Sequence, residues 1–136
     1  MELDNLSPEV ISAIEKFIEE GRNIVVGGET GVGKTTLVEN FLKDNNDYEL
    51  FDEVRESEEA QEAFSKMKLE KHTVAVLYGD SPESTMNRFY GLITEDEELE
   101  FNEFKRVVEV IIYVTLNNGE RNDGGERLVS VYSNKK

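Results

Sequence analysis

Three closely spaced glycines restrict the fold more than any other feature, because they mark one short segment as a tightly turning loop. Lys34 and Thr35 follow directly after Gly33. Together with Gly28 they give the spacing G-x-x-x-x-G-K-[ST], with Gly31 between the two glycines of the pattern. Glycines let the backbone amides turn inward, and the lysine adds a point charge beside them. This spacing indicates a loop that wraps around phosphate groups.

The residues on both sides of the loop support this interpretation. Ile24 to Val26 form a short apolar run that is typical of a buried parallel strand, and apolar residues recur at helical spacing from Leu37 to Leu42. The helix would add its free N–H groups and the positive end of its dipole. The alternative is a glycine turn that binds no ligand. We favour a nucleotide-binding loop whose contacts come from Gly28, Glu29, Thr30, Gly31, Val32, Gly33, Lys34, Thr35 and Thr36.

An acidic pair provides the second part of the expected site. Asp52 and Glu53 lie near the end of a predicted strand, Tyr48 to Val54. In a site of this kind Thr35 and Asp52 would hold Mg²⁺, while Lys34 would neutralise phosphate charge and Glu53 would orient the attacking water. The predicted cofactors are therefore ATP and Mg²⁺, with Lys34 and Glu53 as the catalytic residues. The alternative is two solvated carboxylates at a strand end.

The rest of the chain alternates between predicted helices and strands. Helices are predicted from Pro8 to Glu20, from Ser57 to Leu69, from Pro82 to Ile93 and, through a capping box at Thr94 to Glu97, as far as about Phe104. Further strands are predicted at Thr73 to Tyr78, Val107 to Leu116 and Arg127 to Ser133, the last two separated by a polar loop. The alternation predicts one α/β domain over residues 1–136. Its sheet would be mostly parallel, with helices on both faces and an antiparallel hairpin at the C-terminus.

The charge of the chain excludes several classes of partner. Thirty acidic residues against 15 basic ones give a net charge of −15. This field repels nucleic acids and anionic membranes. It also repels free nucleotide, so a nucleotide site would need local positive charge and Mg²⁺. No apolar run approaches the length of a membrane span, and the first residues are acidic rather than signal-like. We therefore expect a cytoplasmic protein without membrane insertion.

The motifs together resemble the ATPases that power type II and type IV secretion and type IV pili. Over nearly the whole chain, segments similar to that family are Asn23 to Phe41 (phosphate loop), Asp52 to Arg55 (an acidic motif of the form G-E-V-R), His72 (first histidine of a histidine box), Asp80 to Arg88 (the helix that follows) and Val107 to Val131 (strand, loop and strand). The resemblance implies a RecA-like P-loop fold, Mg²⁺-dependent ATP hydrolysis and action in oligomers. It also implies that His72 senses the γ-phosphate.

The chain departs from this family in three respects. Glu53 follows Thr35 by 18 positions. In the family this interval is far longer and carries an additional strand, an acidic box and arginines that reach a neighbour's nucleotide. Tyr78 occupies the position of the second histidine, and we expect a core without a preceding membrane-proximal domain. Asp52 and Glu53 thus correspond either to the acidic strand end or to the missing acidic box, and His72 either senses phosphate or caps a helix C-terminus.

Three functions are compatible with these features. The first is Mg²⁺-dependent ATP hydrolysis. The second is a nucleotide-binding regulatory module with little or no hydrolysis, which acts on a larger ATPase or another protein partner. The third, a small-molecule phosphotransferase, ranks last because its usual arginine-rich lid is not evident: Arg88 is isolated, and Arg121 and Arg127 lie in or beside the late loop. Arg55 and Arg88 are expected in ion pairs first and in phosphate contacts second.

Overall fold

The computed structural model describes residues 7–29, 31–43, 45, 47–69, 72–95, 97–116 and 127–133. Within them the helices are α1 (Pro8–Glu19), α2 (Lys34–Leu42), α3 (Ser57–Leu69), α4 (Pro82–Ile93) and α5 (Phe101–Val107). The strands are β1 (Ile24–Gly28), β2 (Glu49–Phe51), β3 (Thr73–Tyr78), β4 (Val110–Leu116) and β5 (Arg127–Ser133). The predicted polar loop between β4 and β5, with Arg121, lies outside the described residues.

The strands form one sheet in the order β2-β3-β1-β4-β5. β1 pairs in parallel with β3 and β4, β2 pairs in parallel with β3, and β5 is antiparallel to β4. The predicted α/β class, mostly parallel sheet and C-terminal hairpin are therefore confirmed. The carboxyl ends of the four parallel strands meet at one edge, called here the carboxyl edge, and their starts define the opposite amino edge. Gly28 lies level with Tyr78 and Val114 at the carboxyl edge.

Helices cover both faces of the sheet. Ile24 and Val26 of β1 pack in the cluster that includes α1 and α2, whereas Val25 packs in the cluster that includes α3, α4 and α5. Because successive strand residues point to opposite faces and both faces are covered, the central strands are apolar along their whole length. This explains the continuous apolar runs in the sequence.

α4 approaches the sheet closely beside the carboxyl edge. Thr85 of α4 is fully buried, and a Cβ at either Gly27 or Gly79 would collide with its side chain. The Thr85 hydroxyl donates a hydrogen bond to the Ser81 carbonyl at 2.8 Å, so it is satisfied within its own helix. The two glycines thus allow α4 to support the ends of β1 and β3.

Three predicted element boundaries are wrong. The strand expected from Tyr48 to Val54 is limited to Glu49–Phe51, and the backbone turns into the left-handed region at Glu53. The helix expected from Thr94 begins at Phe101 instead, because the Thr94 hydroxyl donates to the Tyr90 carbonyl at 2.9 Å and so completes the end of α4. The strand expected from Val107 begins at Val110, since Val107 still belongs to α5. In the described part of the chain, no helix has the length and apolar character needed to cross a membrane.

Candidate nucleotide-binding site

The glycine loop joins β1 to α2 at the carboxyl edge. Gly31 and Gly33 have φ values of 87° and 88°, in the left-handed region that favours glycine, as the sequence predicted. Gly28 is required for a different reason: a Cβ there would lie 2.5 Å from the Val114 carbonyl oxygen of the neighbouring strand. The loop therefore turns sharply while lying close against β4.

Lys34, the first residue of α2, is almost completely buried, with 4% of its surface exposed. Its ammonium donates a hydrogen bond to the Glu29 carbonyl oxygen at 3.0 Å. The same Nζ lies 3.6 Å from Oε1 of Glu53. A buried ammonium needs such partners, because an unpaired charge away from water is very unfavourable. Lys34 is thus held between the glycine loop and the acidic pair.

The two residues predicted to hold the metal contact each other. Thr35 Oγ1 donates a hydrogen bond to Oδ1 of Asp52 at 2.5 Å. This contact joins α2 to the end of β2, although β3 separates β1 from β2 within the sheet. Hydroxyl and carboxylate oxygens are the ligands that Mg²⁺ prefers, so the donor set fits this ion. The described residues contain no group of three or more metal-ligating side chains, so phosphate oxygens or water would have to complete the coordination.

Glu53 has an unusual backbone conformation. Its φ is 56°, in the left-handed region that side chains with a Cβ rarely adopt. The next residue secures the turn, because the Val54 N–H donates to the Val76 carbonyl of β3 at 2.8 Å. The Glu53 carboxylate is about one-third exposed, with Oε1 near Lys34 and Oε2 3.6 Å from Nε of Arg55. Strained conformations of this kind concentrate at functional sites.

The other loop residues that were predicted to contact the ligand occupy different environments in the structure. Val32 is buried and anchors the loop in the core beside α2. Thr36 is exposed on the first turn of α2, and its carbonyl accepts a hydrogen bond from Asn40 at 2.9 Å. Glu29 contributes the carbonyl that holds Lys34. Thr30 lies outside the described residues.

Two tyrosines at the carboxyl edge were not predicted as site residues. Tyr78 ends β3 level with Gly28 and is 44% exposed. Tyr113 of β4 donates its hydroxyl to the Gly79 carbonyl at 3.3 Å. Burial raises the pKa of the Tyr113 phenol, and the negative charges of Glu29 and Asp80 add to the effect. The register that brings these rings to the edge depends on strand pairing, so no local sequence pattern could reveal it.

His72 lies at the amino edge, directly before β3. Six residues of β3 separate it from the carboxyl edge, a distance of roughly 20 Å at the rise of a strand. Its ring packs edge-to-face on Tyr48, with ring centroids 5.4 Å apart. A Cβ at Gly21 would collide with the same ring, which explains the glycine after α1. The implied contact between His72 and the γ-phosphate is therefore wrong.

A buried polar network occupies the same amino edge. Glu109 is 4% exposed and accepts hydrogen bonds at 3.1 Å from the Asn23 N–H and from Nη1 of Arg22. The Tyr48 hydroxyl donates to the Arg22 carbonyl at 2.8 Å. Burial raises the pKa of the Tyr48 phenol, and the Glu109 charge adds to the rise. This network joins α1 to the starts of β2 and β4, far from the glycine loop.

The fold and the loop together define the class of the protein. A mostly parallel sheet, a glycine loop between a central strand and the following helix, and an acidic pair at the same edge characterise a RecA-like P-loop domain. At the level of sequence, the chain matches no protein-family model and no curated protein.

Solved structures support this class. The chain is similar to the VirB11 ATPase of the Brucella suis type IV secretion system, solved in complex with sulphate: the TM-score is 0.68 at 19% identity, over 95% of this chain and 56% of that one. It is also similar to the Legionella pneumophila ATPase DotB, with a TM-score of 0.69 at 15% identity, over 100% of this chain and 51% of that one. The chain thus spans about half the length of each ATPase. The fold implied by the resemblance to secretion ATPases is confirmed.

Proposed function

We propose that the domain binds ATP with Mg²⁺ and hydrolyses it. The observation that carries this proposal is the hydrogen bond between Thr35 and Asp52, because it brings the hydroxyl beside the glycine loop to a carboxylate from a different strand. A glycine turn that bound no ligand would not need the acid that follows β2 at this position. Lys34 and Glu53 lie beside this pair.

Each residue has a role that follows from its position. The amides of Gly31 to Lys34 would bind phosphate oxygens at the N-terminus of α2. Lys34 would exchange the Glu29 carbonyl for a phosphate oxygen, which is the better acceptor because it is charged. Thr35 and Asp52 would hold Mg²⁺, which when bound neutralises charge on the phosphate oxygens.

Glu53 would orient the attacking water by accepting a hydrogen bond from it. In the reaction the water oxygen bonds to the γ-phosphorus, the bond from that phosphorus to the bridging oxygen of ADP breaks, and the proton lost by the water passes to the phosphate product or to solvent. The left-handed turn at Glu53 directs its carboxylate toward Lys34 and hence toward the loop. We extend the proposal to a cytoplasmic protein that works as a homo-oligomer or with a protein partner, because both fold neighbours are ATPases and one of them belongs to a type IV secretion system.

The second candidate is a nucleotide-binding regulatory module with little or no hydrolysis. The position of His72 favours it, because a residue that the resemblance assigns to the γ-phosphate lies at the opposite edge of the sheet. Such a module would bind nucleotide through the same loop and act on a larger ATPase. The two candidates differ in turnover and not in binding.

Binding is tested first, by thermal unfolding with Mg-ATP and Mg-ADP. A ligand at about 100 times its Kd stabilises the folded protein by roughly 2.7 kcal/mol, which raises the Tm of a domain of this size by several degrees. Lys34→Ala should lose this increase. An unchanged Tm of the parent with both nucleotides would overturn both candidates.

Turnover separates the two candidates. Glu53→Gln keeps the size of the side chain but removes the charge that orients water, so phosphate release should fall by about 100-fold or more while binding persists. A parent protein that binds Mg-ATP but releases no phosphate at high protein concentration, alone and with added partners, would support the regulatory module instead.

A further inference from the structure

Glu53 lies between two cations. Its Oε1 is 3.6 Å from the Lys34 ammonium, and its Oε2 is 3.6 Å from Nε of Arg55. One carboxylate therefore brings the guanidinium of Arg55 close to the lysine of the glycine loop. Because Arg55 lies just before α3 and Lys34 begins α2, the proximity of these two cations depends on the fold and not on neighbouring positions in the sequence.

The charges at this edge create a need for a further cation. A triphosphate approaching the loop meets the carboxylates of Asp52 and Glu53, and the positive charge against them comes from Lys34 and the proposed Mg²⁺. The whole chain carries a net charge of −15, so its long-range field repels the same ligand. A guanidinium beside Glu53 would offset part of this repulsion where charge develops during phosphoryl transfer.

Arg55 is able to move onto a ligand without disturbing the fold. Its side chain is 73% exposed, so its ion pair with Glu53 contributes little to stability. Its backbone is held separately, since the Arg55 N–H donates to Oε1 of Glu59 at 3.1 Å. A planar guanidinium also binds phosphate oxygens through two parallel hydrogen bonds, which an ammonium cannot do.

We propose that Arg55 contacts the terminal phosphate of a bound triphosphate and stabilises its negative charge while the phosphoryl group passes to water. This inference rests on the proposed ATP binding. Arg55 neither gains nor loses a proton, and the charge that it stabilises ends on inorganic phosphate and ADP. The chain would thus supply from its own α3 start the type of arginine that other phosphate-transferring enzymes receive from a partner.

The test compares affinity for a triphosphate with affinity for a diphosphate. Isothermal titration with Mg-AMP-PNP and with Mg-ADP is made on the parent, Arg55→Ala, Arg55→Lys and Arg106→Ala. The last variant is the matched control, because Arg106 is also an exposed arginine but lies near the end of α5, toward the amino edge. Loss of a hydrogen-bonded charge contact should weaken binding of Mg-AMP-PNP to Arg55→Ala by about tenfold.

Binding of Mg-ADP to Arg55→Ala should stay at the parent value, and Arg55→Lys should bind Mg-AMP-PNP with intermediate affinity. Arg106→Ala should match the parent with both nucleotides. Equal weakening of both nucleotides in Arg55→Ala, or no weakening of either, would overturn the contact with the terminal phosphate while leaving the proposed function standing. A parent that binds neither nucleotide would overturn the proposed function itself.

Discussion

Replacement of Thr35 by valine tests the site at its most specific contact. The change keeps the shape of the side chain and removes the hydroxyl that donates to Asp52 at 2.5 Å. Hydrogen bonds to charged groups contribute about 1.5–3 kcal/mol, but Asp52 is exposed and Thr35 is half-buried. We therefore expect the free energy of unfolding without ligand to fall by about 1 kcal/mol, which lowers the Tm by about 4 °C.

Nucleotide binding should respond more strongly than stability. If Thr35 and Asp52 hold one metal ion together, Thr35→Val should remove most of the gain in ATP affinity that Mg²⁺ gives the parent. Asp52→Asn should have a similar effect, and the double variant should be little worse than either single one. If both residues bind the same metal ion, either substitution alone removes the metal's contribution to affinity, so the effects of the two substitutions are not additive.

The measurements are urea unfolding and isothermal titration with ATP, each with and without Mg²⁺. Asp47→Asn provides the control for charge, because Asp47 is exposed and precedes β2 on the side away from the loop. Full retention of the Mg²⁺-dependent gain in Thr35→Val would refute the assignment of this residue to the metal. Strictly additive losses would show that the two residues act on different steps.

Three further changes test the surrounding structure by urea unfolding. Gly28→Ala should destabilise the fold by about 2 kcal/mol, because the new Cβ meets the Val114 carbonyl, and an unchanged midpoint would contradict the close approach of loop and β4. Gly91→Ala, in open space on α4, should instead stabilise it by about 0.5–1 kcal/mol. Tyr48→Phe should lower stability by about 1 kcal/mol. Because the folded pKa of Tyr48 is raised, its contribution to stability should hold below about pH 10 and decline above it. If the stability of Tyr48→Phe declines as steeply above that pH, the decline does not come from Tyr48.

The loop and most of the elements could be predicted because their signals are local. The left-handed turns at Gly31 and Gly33 follow from residue type, and the buried strands follow from continuous apolar runs. The helix start predicted from the capping box at Thr94 is wrong because the same local pattern is compatible with either the start or the end of a helix. Its hydroxyl bonds backward to the Tyr90 carbonyl and ends α4, so no helix starts there.

The parts of the site that were missed depend on strand order. His72 and Tyr78 lie at the two ends of β3, and because β3 runs parallel to β1, only the Tyr78 end meets the loop. The resemblance assigned His72 to the phosphate without regard to this strand direction. The left-handed conformation of Glu53 was equally hidden, because glutamate has no preference for it. The contact between Arg55 and Lys34 through Glu53 requires both the strand order and this turn.

The strand order also bears on the two interpretations of the acidic pair. β2 lies beyond β3, two positions away from β1, so Asp52 and Glu53 approach the loop across the end of a neighbouring strand. The short interval after Thr35 is sufficient because α2 has only nine residues and β2 only three. The bond from the Val54 N–H to Val76 continues the pairing after β2 ends, and it places the acids where a strand-terminal pair would act. This geometry favours the interpretation as an acidic strand end that serves metal and water, and not as a substitute for a separate acidic box.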